Sequence, residues 1–109
     1  ASLQGIVRFL QAAGRKFWEH GQTSKTVWGL ALMYRLEPSE ALSETIEATI
    51  ESFCQSQKPD GGWQLPLFQG KYEEMPDWMR MAYSGDMILA LHGYLHVYVP
   101  AALAAGRRS

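Results

Sequence analysis

His92 and His96 stand four residues apart in "ILALHGYLHVYVP". On a helix that spacing puts both imidazoles on one face, and two imidazoles so placed can bind a metal ion. No glutamate follows His92, so the zinc-protease pattern is missing. The expectation is a pair of buried, hydrogen-bonded core histidines, with no metal and no cofactor. Cys54 is the single cysteine, which leaves neither a disulfide framework nor a CxxC metal pair. It falls on the apolar side of an amphipathic stretch, where a buried structural thiol is expected. No GxSxG elbow, phosphate-binding loop or dinucleotide fingerprint occurs. The carboxylates Asp60, Asp77 and Asp86 stand apart from one another, and Asp86 precedes a long apolar run.

The elements that must position these groups are helical. The chain has 109 residues, enough for one domain or part of one. Its apolar share of 47% suits a globular protein. Four Trp, five Tyr and four Phe form a rich aromatic set, and each buried Trp or Tyr wants a polar partner as well as a packed ring. A net charge of −1 points away from nucleic acid and from a membrane surface as partners. The first residues lack the layout of a secretory signal, which leaves the compartment open. The longest apolar run, residues 87–99, is shorter than the roughly 18 residues of a spanning helix, so no membrane span is expected.

Leu3, Ile6, Val7 and Leu10 fall at helical spacing over residues 2–13. A loop with Phe17 and Trp18 follows. Thr23 or Ser24 can cap a second helix reaching Leu36, apolar nearly all round and therefore expected to be buried on most sides. Pro38 ends it, and Ser39 can cap the next. Over residues 40–56, Leu42, Ile46, Ile50 and Phe53 form one stripe, while Glu40, Glu44, Glu47 and Glu51 form a solvated opposite face. Residues 64–76 read as an ordered loop, with a short helical turn over 77–81. Ser84 or Asp86 starts a last helix, again apolar nearly all round, which Pro100 ends or kinks. Inner-type helices thus alternate with amphipathic ones. "TSKTVWGLALMYRL" and "YSGDMILALHGYLHV" repeat the same grammar about sixty residues apart, a weak internal repeat of a helical hairpin. The fold class is all-α.

Between the two hairpins lies "QKPDGGW". Its glycines suit a turn with positive φ. Phe53, Gln57, Gly61 and Trp63 have the spacing of the repeated QW motif, and the arrangement resembles the terpenoid cyclase-like branch of the α/α-toroid proteins. That resemblance implies helical hairpins in two concentric rings and an aromatic, mostly apolar cavity for a prenyl or terpenoid ligand. Gln57 can then bond the open end of a neighbouring helix while Trp63 stacks over the junction. "DGGWQLPLFQGKY" leading into "YSGDMILAL" also resembles the six-hairpin (α/α) barrels of glycoside hydrolases and polysaccharide lyases, where aromatics stack on sugars and carboxylates do acid/base work. "EEMPD" (Glu73, Glu74, Asp77) is loosely similar to the acidic magnesium motif of diphosphate-using terpene synthases.

Both resemblances imply a cavity lined from the N-terminal ends of inner helices. That selects Glu19, His20, Gln22 and Lys25 at one helix, and Tyr83, Ser84 and Asp86 at the other. Asp86 is the first candidate for a general acid or base, with His20 second; Asp86 can equally serve only to favour a helix N-terminus. Tyr83, Trp63, Trp78, Glu19, Gln22 and Lys25 are the substrate-binding candidates, for a small apolar or sugar ligand. A closed toroid needs more hairpins than 109 residues supply. Residues 1–109 are therefore expected to be one all-α domain or part of a larger toroid, an incomplete ring completed by its remainder or by another subunit. A plain helical interaction module is the third reading.

Overall fold

The computed structural model describes residues 23–65 and 68–106, together with Gly5, Arg8, Phe9 and Ala12, each of which is helical. The loop expected around Phe17 and Trp18 lies outside the described residues.

Helix α1 spans Thr23–Leu36. Its last turn closes with the Glu37 amide donating to the Met33 carbonyl at 2.9 Å, and Pro38 then denies the helix a further donor. Helix α2 spans Glu40–Ser56, with Ser39 at its N-cap accepting from the Leu42 amide at 3.2 Å. The cap satisfies one of the amides that a helix start leaves unpaired. Leu42, Ile46, Ile50 and Phe53 are all buried, as the stripe requires, and Ser43 and Thr49 are buried with them. Cys54 departs from expectation. It lies about 100° further round the helix than Phe53, and its side chain is exposed.

A 3-10 turn, Tyr72–Glu74, leads into α3, Asp77–Gly93. The short turn over 77–81 and the helix expected from Ser84 or Asp86 are one element. Gly85 is the weakest helix former there, and a single exposed glycine costs about 1 kcal/mol, too little to break the run. A π-helical turn, Tyr94–Tyr98, joins α3 to α4, Val99–Ala104. The Val99 amide donates to the Tyr94 carbonyl, five residues back. Pro100 explains the widened turn: it has no amide, and its ring would collide with the carbonyl four residues earlier in a regular helix. The proline neither ends the helix nor breaks it. The continuous helix Asp77–Ala104 has 28 residues, and its most apolar window has a mean hydropathy of 1.5, so by length and composition it could cross a membrane.

α1 packs against both other long helices. Near the start of α2, Leu30, Ala31, Tyr34, Leu42, Ile46, Tyr98 and Ala102 form one apolar cluster. Near its end, Val27, Ile50, Phe53, Trp63, Tyr83, Met87 and Ala90 form a second. Gly93 lets α1 and α3 approach: an added Cβ there would lie 3.2 Å from the Trp28 backbone. Fully surrounded inner helices are not what results. Trp78, Met81, Ile88, Leu89, Leu95 and Leu103 are each more than half exposed. The helices of the described residues cover only one side of α3, and its other apolar side faces outward. The architecture is all-α, with no strand among the described residues.

Candidate functional site

The loop after α2 is a tied structure. Gly61 has φ +92°, a conformation that side-chain-bearing residues rarely adopt. The Lys58 amide donates to the Gly62 carbonyl at 2.7 Å, and the Gly61 amide to the Lys58 carbonyl at 2.8 Å. The Gln57 side-chain amide donates to the Gly61 carbonyl at 2.8 Å. Gln57 therefore braces its own turn, where the motif implied a bond to a neighbouring helix end. Trp63 does reach a helix end. Its indole N–H donates to the Phe53 carbonyl at 2.9 Å while its ring is buried in the second cluster. One side chain thus caps the C-terminus of α2 and packs the core under it.

Asp60 fixes the outer edge of the same loop. Its carboxylate accepts from the Gly62 amide at 3.0 Å and from the Tyr72 hydroxyl at 2.8 Å. The Arg80 guanidinium lies 4.0 Å from Asp60 and 4.8 Å over the Tyr72 ring. It also donates to the carbonyls of Met75, Tyr72 and Glu73 at 3.1, 3.0 and 2.9 Å. Arg80 sits in the first turn of α3, so this clamp sets where that helix begins. The Gly62 amide, then the Tyr72 hydroxyl, hold the Asp60 carboxyl below the usual range against a loss of solvation, with Arg80 adding to the effect. Donation to Asp60 pushes the Tyr72 phenol up. The "EEMPD" acids serve the same junction: Glu74 accepts from the Lys71 amide at 3.2 Å, and Asp77 occupies the first turn of α3. Among the described residues no three His, Cys, Asp or Glu side chains gather as a metal site would require.

Tyr83 and Trp63, two of the candidate binding residues, share the second cluster. Asp86 is half-buried one turn along α3 from Tyr83. Burial, then the Asp86 charge, pushes the Tyr83 phenol above its ordinary range. No hydrogen bond among the described residues reaches the Tyr83 hydroxyl. Trp78 lies apart, strongly exposed at the start of α3. Glu19, His20 and Gln22 lie outside the described residues. Lys25 is within α1, but its side chain is likewise outside the description.

A second polar group was not foreseen from the sequence. The Tyr94 and Tyr98 hydroxyls donate to Glu47 at 3.4 and 3.2 Å, and the Tyr98 oxygen is also bonded to Ser43. Since Tyr98 donates its proton to Glu47, Ser43 donates to Tyr98. Glu47 is thus half-buried and engaged, rather than part of a wholly solvated face. Burial, then the Glu47 charge, pushes the Tyr94 phenol up. Ser43 and Glu47 are four apart on one helix, and Tyr94 and Tyr98 are four apart on the other, so each pair shares a face. His92 and His96 also differ from expectation, being exposed rather than buried.

Over 80 residues the chain is 31% identical to the squalene–hopene cyclase of Alicyclobacillus acidocaldarius subsp. acidocaldarius. The matched stretch is 73% of this chain and 11% of that protein, so the chain spans about a tenth of its relative. No protein-family model matches the chain, and no solved structure matches it. The chain is thus similar, over part of its length, to a distant terpenoid cyclase.

Proposed function

We propose that the chain is a wall segment of a terpenoid cyclase-like α/α toroid, whose apolar and aromatic side chains line a site for a prenyl or terpenoid ligand. The observation that carries this reading is the 31% identity with squalene–hopene cyclase. The spacing of Gln57, Gly61 and Trp63 agrees with it, and so does the apolar company of Tyr83. Aromatic faces attract cations, which is what a cyclising polyene develops. The outward apolar side of α3, with Trp78, Met81 and Ile88, faces the ligand or is covered by further helical hairpins, from the remainder of the toroid or another subunit. Asp86 is the acid or base candidate in this chain; the acidic cluster of a proton-initiated cyclase is missing from it, so the chain's own part is lining and shape.

Squalene is the probe that tests this. Titration of the protein with detergent-dispersed squalene should give a saturable change in tryptophan emission, and chromatography with mass detection should be run for cyclised products. Saturable binding supports the reading, with or without turnover. No saturation, in a protein that sediments as a single monomer, would leave a plain helical bundle.

A further inference from the structure

Two imidazoles on the outward side of the long helix have no role in that reading. His92 and His96 are both exposed, and their ring centres are 4.6 Å apart with planes 35° from parallel. With metal–nitrogen bonds of about 2.1 Å, two imidazoles ligating one ion at square or tetrahedral angles sit about 4.5–5.2 Å centre to centre. The observed separation falls inside that window. No hydrogen bond or ion pair among the described residues engages either ring. Trp28 stacks on His92 at 5.2 Å with planes only 10° apart. That stack, supported by the close approach of α1 at Gly93, holds one ligand ring in place before any ion arrives, which lowers the entropy cost of binding.

We propose that His92 and His96 form a two-imidazole site for a borderline transition-metal ion, Cu2+ foremost and then Ni2+ or Zn2+. Nitrogen donors select these ions over Mg2+ and Ca2+, which require oxygen ligands. No third His, Cys, Asp or Glu joins the pair among the described residues, so water fills the other coordination positions. His96 itself lies in the π-helical turn Tyr94–Tyr98.

Titration of the full chain with CuCl2, followed by calorimetry and by tryptophan emission, tests the site. One ion should bind per chain, with saturable quenching of Trp28, and MgCl2 should do nothing. Loss of one ring removes chelation, so His92→Ala and His96→Ala should each weaken binding by about tenfold or more. The Trp28 stack is made with His92 and not with His96, so H96A keeps the test valid should H92A disturb packing; far-UV circular dichroism checks this. Cys54→Ser and His20→Ala should leave the midpoint in place. A midpoint for H96A within about twofold of the parent overturns the site, as does a C54S or H20A shift as large as that of H96A.

Discussion

Tyr98 and Tyr83 lie fifteen residues apart on the same continuous helix, and both are buried. Their hydroxyls are treated differently. That of Tyr98 accepts from Ser43 and donates to Glu47, so its end of the helix layer is fastened by polar bonds inside an apolar cluster. That of Tyr83 has no such bond among the described residues, and its end is fastened by packing and by the loop. A polar group buried with partners specifies one arrangement, whereas one buried without partners costs stability and remains available to something else. The first end is built for structure. The second can afford a site.

The largest test of this contrast is Trp63→Ala. It empties part of the second cluster and strips the Phe53 carbonyl of its donor. A loss of about 3–5 kcal/mol is expected in denaturant unfolding, the range for truncating a buried aromatic. A loss below about 1 kcal/mol would mean that the loop, not the tryptophan, holds this end.

Tyr98→Phe is next. It keeps the ring stacked at 5.3 Å on Tyr94 and in edge contact at 5.0 Å with Tyr34, and removes only the oxygen. Ser43 loses its acceptor and Glu47 one of its two phenols. The expected loss is about 1–3 kcal/mol. Equal stability to the parent would show that the network is decorative and would erase the contrast.

How much of this was legible depended on whether a residue's partners were near in sequence. The boundaries of α2 followed from Ser39 and from a clean apolar stripe, both local signals. The tie between Trp63 and the end of α2 spans ten residues; the motif implied contacts to a neighbouring helix for both Gln57 and Trp63, and neither contact seen here followed from it, because the same side chains can reach either their own turn or a neighbour. The network of Ser43, Glu47, Tyr94 and Tyr98 spans about fifty residues, and nothing local separates an engaged glutamate from a solvated one. Apolar residues all round α3 likewise promised burial on all sides. Composition reports what a helix tolerates, while exposure depends on what else is present to cover it. Cys54 failed for a smaller reason, one step past the edge of its stripe.

The loop end carries a pH signature in the acid range. Asp60 has a folded pKa below its ordinary value of about 3.9. Its bonds therefore contribute full stability above that ordinary value, and the contribution is lost as pH falls through the lowered folded value. Asp60→Asn should destabilise the protein at neutral pH, and parent and variant should converge in acid. Unfolding midpoints measured from about pH 7 down to about pH 2 check the convergence. A constant gap across that range would assign the effect to shape rather than charge. Because the carboxylate is solvent-exposed, the neutral-pH gap should be smaller than that of Tyr98→Phe.

Tyr83→Phe should have the smallest effect on folding, within about 0.5 kcal/mol of the parent, because no hydrogen bond among the described residues is lost and the ring stays in its cluster. Its value lies in binding. A hydrocarbon ligand is held by the ring face and should bind Y83F as well as it binds the parent. A sugar would use the hydroxyl, and its loss would weaken binding by about 1 kcal/mol or more, several-fold in affinity. Squalene affinity unchanged in Y83F but lost in Tyr83→Ala supports an apolar wall. Sugar binding that disappears in Y83F would replace the terpenoid reading with a carbohydrate one, because the Tyr83 hydroxyl would then be the group that recognises the ligand.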